Sequence, residues 1–252
     1  MPRILAETGE LLVLDKPAGL IVHSDGRTEE PSVAEWLTEH YPALREMGEP
    51  WVSPLGQVVP IAGLVHRLDR TTSGVLLAAK TQEMYAYLKN ELKERRVEKV
   101  YRAYVYGHME KEEGRIVAEI MRAEIFLADT SALENPSVVA KRATSSRPPK
   151  RWYARETDEN DKRAAITEWK LLKKLDGASL IEAKPLTGRT HQIRVHLASI
   201  GHPVVADHLY AAEQKPLFGF ERPALHAYSI SLTLPEGERA TYTAPLPPDF
   251  PK

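Results

Sequence analysis

The stretch His66-Arg67-Leu68-Asp69-Arg70-Thr71-Thr72-Ser73-Gly74-Val75-Leu76-Leu77-Ala78-Ala79 decides how the rest of the chain is read. Its second half is a continuous apolar run, which predicts a buried strand over Gly74–Lys80. Its first half sets one carboxylate, Asp69, between Arg67 and Arg70. A carboxylate alone is a modest nucleophile. It becomes useful when it is fixed in place, kept ionised by a cation and shielded from water. Arginine suits that task because it keeps its proton and grips a carboxylate through two parallel bonds. A lone Arg-Asp pair is more often a plain surface ion pair, so the chemical reading needs support from other parts of the chain.

Working outward, Thr81 is placed to cap a helix reaching to about Arg95, with Met84, Leu88 and Leu92 on one face. Lys99–Gly107 alternates as a strand, with Tyr101, Ala103 and Val105 on one side. Gly114–Ile120, Ala164–Leu172, Ala178–Lys184 and Leu225–Leu234 read as further strands. Thr190 can cap a helix ending near Gly201. On the N-terminal side, strands are expected at Leu11–Asp15 and Leu20–His23, joined by the turn Lys16-Pro17-Ala18-Gly19. A helix follows Pro31, and Pro42, Pro50, Pro54 and Pro60 break up the next region. Residues 121–163 read as a loop excursion, and the proline-rich 245–251 as a surface tail. Most strands are too close together for helical crossovers. The expected fold is α+β, a mixed, largely antiparallel central sheet flanked by helices and loops, in a single domain spanning 1–252.

Composition narrows the function classes. The chain has 252 residues, 42% hydrophobic and 27% charged, enough for a sizeable core. It has no cysteine, which excludes disulfides, thiolate-ligated zinc and thiol catalysis. No apolar run approaches the roughly 20 residues needed to cross a bilayer, and Met1–Lys16 carries no signal pattern, so a cytoplasmic protein is expected. The formal net charge of −1 does not announce a nucleic-acid binder, but phosphate contacts are local. Basic runs occur at 141–155, at Lys93, Arg95, Arg96, Lys99 and Arg102, and at Lys184, Arg189 and Arg194.

Two further segments can carry chemistry. In Pro185-Leu186-Thr187-Gly188-Arg189-Thr190-His191-Gln192-Ile193-Arg194-Val195-His196, a strand ends, a glycine turns and a helix begins, so packing can aim Arg194. In Glu98-Lys99-Val100-Tyr101-Arg102-Ala103, a strand tyrosine could stack on a base. His191 and His196 are five residues apart and lie on different helix faces, which disfavours a metal site. A leucine separates Arg67 from Asp69 and no glycine-rich nucleotide loop precedes it, which excludes kinase chemistry; Walker and G-x-S-x-G motifs are also missing.

These segments, in this order, resemble the RluA-type pseudouridine synthases, whose blocks read H-R-L-D-x-x-T-S-G, K-x-Y-x-A and T-G-R-x-H-Q-x-R-x-H. Lys16-Pro17-Ala18-Gly19-Leu20, Gly201-His202-Pro203 with Asp207 and Tyr210, and Leu225-His226-Ala227 match further family blocks, so the resemblance runs from about residue 11 to 249. It implies the pseudouridine synthase fold with a central catalytic cleft, and isomerisation of a uridine in ribosomal or transfer RNA without metal or cofactor. It implies catalytic roles for Asp69 as nucleophile, Tyr101 stacking on the uracil and Arg194 holding Asp69. Arg67 would help displace the base. His66, Arg70, Thr72 and Lys99, with Arg189, His191 and Gln192, are expected to contact RNA or the base.

Two departures stand out. Ala206 replaces a glycine common in the family, where only a minor backbone adjustment is expected. The chain begins too close to its Lys-Pro block for the S4 RNA-binding domain many relatives carry, so substrate grip is expected from the catalytic domain itself. The RNA partner and a monomeric state are the expectations, with no membrane. Two other functions remain open: an RNA-binding assembly or folding factor on the same fold, and a nucleoside glycosidase. The second is disfavoured because glycoside hydrolysis usually uses two carboxylates.

Overall fold

The computed structural model describes residues 1–24, 30–53, 56, 58–122, 152–158 and 160–251. Strands β2 (Leu11–Lys16) and β5 (Ser73–Ala79) are buried along their whole length because both faces have neighbours. The pleat sends alternate side chains to opposite sides. Leu12, Leu14, Leu76 and Ala78 pack with helix α1 (Val33–His40), while Leu11, Val13, Leu77 and Ala79 pack with helix α2 (Gln82–Lys93). A strand covered on both sides reads as an apolar run rather than an alternation, as residues 75–79 do. Ser32 and Glu35 form a reciprocal capping box at the start of α1. The Thr81 hydroxyl accepts from the Met84 N–H at the start of α2, as expected.

The remaining strands are β1 (Arg3–Glu7), β3 (Trp51–Val52), β4 (Val58–Val59), β6 (Glu98–Tyr106), β7 (Glu113–Arg122), β8 (Trp152–Glu156), β9 (Ala164–Leu175), β10 (Ala178–Pro185), β11 (Leu225–Thr233) and β12 (Arg239–Thr243), with helix α3 (Gln192–Ser199). One ten-stranded sheet runs β1-β2-β5-β11-β6-β10-β9-β7-β8, with β12 also on β11. The β5–β11 pair is parallel and the other described ladders of this sheet are antiparallel, an α+β arrangement. The parallel contact is short, setting His226 beside Ser73 and Ala227 beside Gly74. It depends on glycine: a Cβ on Gly74, whose φ is +117°, would lie 2.1 Å from the Ala227 carbonyl oxygen. Near the middle of the sheet, Tyr101 lies between Ala227 on β11 and Ala183 on β10. Among the described residues, no helix is long and apolar enough to cross a membrane.

Several expectations need correction. Residues 20–23 form no strand, only a bridge between Ile21 and Ser32. Their carbonyls instead accept the first free N–H groups of α1, Val33 to Ile21 and Ala34 to Val22. The 121–163 excursion is not all loop. Its described part contains β8, paired with β7 from Ala118–Glu156 to Arg122–Trp152. Residues 123–151, with most of the basic run 141–155, lie outside the described residues. Thr190 does not cap α3. The helix boundary is His191, with φ 55° and no side-chain cap. The tail is not all surface, since Phe250 is buried against Tyr104, Phe220 and His226.

Candidate active site

Asp69 sits in the turn that leads into β5, closed by the Thr72 N–H donating to the Asp69 carbonyl at 3.1 Å. Long-range contacts fix this turn. The Lys16 side chain is fully buried, and its Nζ donates to the carbonyls of Pro17, Leu20 and Arg70 at 2.9, 2.8 and 3.2 Å. Gly19 N–H also donates to the Arg70 carbonyl. From the other side Arg222 donates to the Thr71 carbonyl at 3.0 Å and is itself held by Asp249. The Ser73 hydroxyl is bonded to His226 Nδ1 at 2.9 Å. Burial, and then the charge of Arg222, pushes the Lys16 ammonium down to about 7.

Arg194 reaches Asp69 Oδ2 from one turn into α3, at 3.3 Å. Its closer bonds go to Asp207, Nε to Oδ2 at 2.6 Å and Nη2 to Oδ1 at 2.8 Å, and its guanidinium lies over the Tyr210 ring. Asp207 thus orients the arginine, and the arginine presents one nitrogen to Asp69. Burial works against the Arg194 charge, but the hydrogen bonds and charge of Asp207, then Asp69, hold its pKa above the ordinary value. A buried cation needs such a partner, since a charge left alone there is costly.

His191 stands on the other flank of Asp69, its Nε2 3.9 Å from Oδ2. Its Nδ1 is 2.9 Å from the Tyr210 hydroxyl, which accepts from the Trp152 N–H at 3.3 Å. This network closes when Tyr210 donates to Nδ1, leaving the imidazole proton on Nε2, facing Asp69. Burial lifts Tyr210 to about 12, so it keeps that proton, and burial lowers the His191 pKa against the pull of Asp69. Tyr101 is raised by burial and then by the charge of Asp69.

Asp69, Tyr101 and Arg194 line one cavity of about 440 Å³, the size of a small-ligand site. His66, Arg67, Thr72, Lys99, Arg189, His191 and Gln192 also reach it, and Arg70 does not. Arg70 is instead paired with Glu30 on the surface. Gln192 is 4% exposed and its amide is engaged inside the protein. It accepts from Thr187 and Arg189 and donates to Ile166 and Thr167, folding the Thr187–Arg189 turn onto β9. His66 accepts the Leu77 N–H at 3.0 Å, and burial, with Lys99 nearby, pushes it down to about 3, so it is neutral. The Thr72 hydroxyl is buried with no partner among the described residues. Arg67 and Arg189 are exposed at the mouth. Asp207 and Tyr210 were visible in the sequence as motif letters without a role. Nothing in the sequence marked Arg222.

The family model described as RNA pseudouridylate synthase matches residues 10–199. A protein of Nitrosomonas europaea named ribosomal large subunit pseudouridine synthase D is 33% identical over 98% of this chain, which spans 63% of that protein's length. An uncharacterized RNA pseudouridine synthase of Synechocystis is 33% identical over 99% of this chain and 67% of its own. Two solved human structures, RNA pseudouridylate synthase domain containing 1 and 4, superpose with TM-scores of 0.64 and 0.66 at 24% and 21% identity. They cover 98% and 97% of this chain, and 84% and 88% of theirs, and share its fold.

Proposed function

The chain belongs to the RNA pseudouridylate synthase family, and we propose that it isomerises a specific uridine in RNA to pseudouridine with Asp69 as the acting carboxylate. One observation carries this reading. Asp69, gripped by the Asp207-anchored Arg194, shares a nucleoside-sized cavity with Tyr101. In that cavity the target base, flipped out of its stack, lies against the Tyr101 ring. The bond from C1′ to N1 breaks, the uracil turns, and C5 bonds to C1′. N1 gains a proton and C5 gives one up, so the composition is unchanged. Asp69 acts at the nucleoside, Arg194 and His191 fix its orientation, and Arg67 at the mouth fills the space the base leaves. The names of the relatives favour large-subunit ribosomal RNA as the substrate.

The test is pseudouridine mapping by carbodiimide-dependent primer-extension stops. Cells lacking the protein are compared with cells rescued by wild type or by Asp69→Asn. One stop lost on deletion and restored by wild type alone is expected. A cellular defect rescued by Asp69→Asn without any change in stops would replace this reading with an RNA-binding assembly factor.

A further inference from the structure

A second pocket of about 530 Å³, lined by Val65, Lys89, Asn90, Leu92 and Lys93, opens against the catalytic cavity. The two share Val65, Leu92 and Lys93 as common walls. Its floor is apolar, with Val65 buried and Leu92 half-buried, while Lys89, Asn90 and Lys93 on α2 are exposed. Lys89 and Lys93 are four residues apart, so like charges face each other on one side of the helix, an arrangement that costs an isolated helix a few tenths of a kcal/mol. Of the neighbouring acids, Glu94 at the exposed C-cap follows Lys93, and Glu91 does not relieve the pair. Its carboxylate is buried and taken by Arg96 in three hydrogen bonds of 2.6 to 3.1 Å. Two residues after the helix ends, Arg95 holds a left-handed φ of 59° and reaches the first cavity. Among the described residues around that cavity, Arg67, Lys93, Arg95, Lys99 and Arg189 join Arg194 against a single acidic side chain, Asp69.

An apolar floor beside exposed cations, sharing three wall residues with a nucleoside-sized cavity, fits one ligand: another nucleotide of the same strand. We propose that the α2 pocket is a second nucleotide subsite, taking the neighbour of the target uridine. The neighbour's base lies on Val65 and Leu92, and its phosphate is met by Lys89 and Lys93. This rests on the function proposed above, because it assumes that a uridine enters the first cavity. Bases elsewhere are held between aromatic or apolar side chains, with a cationic track for the backbone of single-stranded RNA.

The probe is a single-stranded RNA of about ten nucleotides spanning the mapped uridine, with two matched versions lacking the base on its 5′ or 3′ side. Binding is measured against salt for wild type, Lys89→Ala/Lys93→Ala, Leu92→Ala and a control, Lys173→Ala/Lys174→Ala, on exposed residues of β9. Alanine favours helix, so the α2 double variant keeps its fold, and circular dichroism checks it. The expected result is about tenfold weaker binding by the α2 double variant and a salt slope shallower by roughly 0.7 for each phosphate left without its lysine. The control keeps its slope. Removing the base on one side costs wild type about tenfold, and less in Leu92→Ala, because the base no longer has its floor. A mapped uridine whose RNA shows neither the slope change nor a one-sided base penalty overturns the subsite and leaves the function standing. If no uridine maps to this protein, both fall.

Discussion

The support that fixes the Asp69 turn and Arg194, the floor of the site, and the exposed rim of its cavity are built on opposite rules. On the floor the charges have fixed partners. Arg194 is clamped by Asp207, Lys16 is caged by three carbonyls, and Arg222 is tied to Asp249. On the rim Arg67, Lys93, Arg95 and Arg189 stand exposed. Rigid, matched charges suit chemistry, which needs atoms held within fractions of an ångström. Loose cations suit an RNA backbone, whose phosphates they can follow and whose counterions they displace. A substitution on the floor should therefore cost stability and turnover together, while one on the rim should cost affinity alone.

The sharpest way to break that contrast is Asp207→Asn. It keeps the volume but leaves the buried Arg194 without its main anion. A loss of about 3 kcal/mol in denaturant unfolding is expected, with turnover down at least 100-fold as Arg194 loses its aim at Asp69. Stability within 0.5 kcal/mol of wild type would show that the floor is not charge-matched in this way.

Acid tests the buried interior through two histidines, His66 at the cavity and His196 on α3, bonded to Thr167. His66 and His196 are pushed down to about 3 and about 4 by burial, from an unfolded value of 6.5. A depressed pKa means that the unfolded chain takes up protons first. The stabilisation is whole above pH 6.5 and is lost as pH falls toward those lower values. By pH 4.5, unfolding should become easier by roughly 2 kcal/mol per histidine, and His66→Gln should flatten the pH dependence. RNA affinity per folded molecule should change less than stability does.

For the rim, Arg189→Ala should weaken RNA binding about tenfold at low salt and make the salt slope shallower by about 0.7, with unfolding within 0.5 kcal/mol of wild type. A parallel loss of stability would place Arg189 with the floor.

The smallest effect lies at the edge of the floor. Ala206 holds φ 57°, a left-handed conformation, next to Asp207. Ala206→Gly relieves that strain but loosens the unfolded chain, so a gain of about 0.5 kcal/mol is expected in thermal unfolding. A destabilised glycine variant would mean that the methyl of Ala206, a residue 6% exposed, packs more than it strains.

Legibility in the sequence followed the same division. The strands at 11–16 and 73–79 were readable as apolar runs because both their faces are buried, and the strand at 98–106 and helix α2 by their periodicity, with Thr81 as the helix cap. β1 and β12 were not, because their exposed and half-exposed residues leave no apolar contrast to read. β8 was hidden because Trp152 and Tyr153 sit between basic and acidic runs. The meeting of Asp69 with Arg194 was expected from the family resemblance. The Asp207 clamp and the Lys16 cage could not, because a motif names residues without saying which of them touch. The fit of His191 at the helix boundary had no signal either, since a histidine at φ 55° looks like any other in one dimension.

The tie between Arg222 and the Thr71 carbonyl spans 151 residues of chain. Proteins are made from the N-terminus, and local structure forms as the chain emerges. The whole His66–Gly74 block is therefore synthesised long before Arg222, His226 and Asp249 arrive to hold it. A chain cut short before residue 222 would carry every letter of the Asp69 motif and lack its Arg222 and His226 ties. If Asp69 acts as proposed, competence to react is in this sense a late product of synthesis, and a truncated copy lacks the ties that set its site.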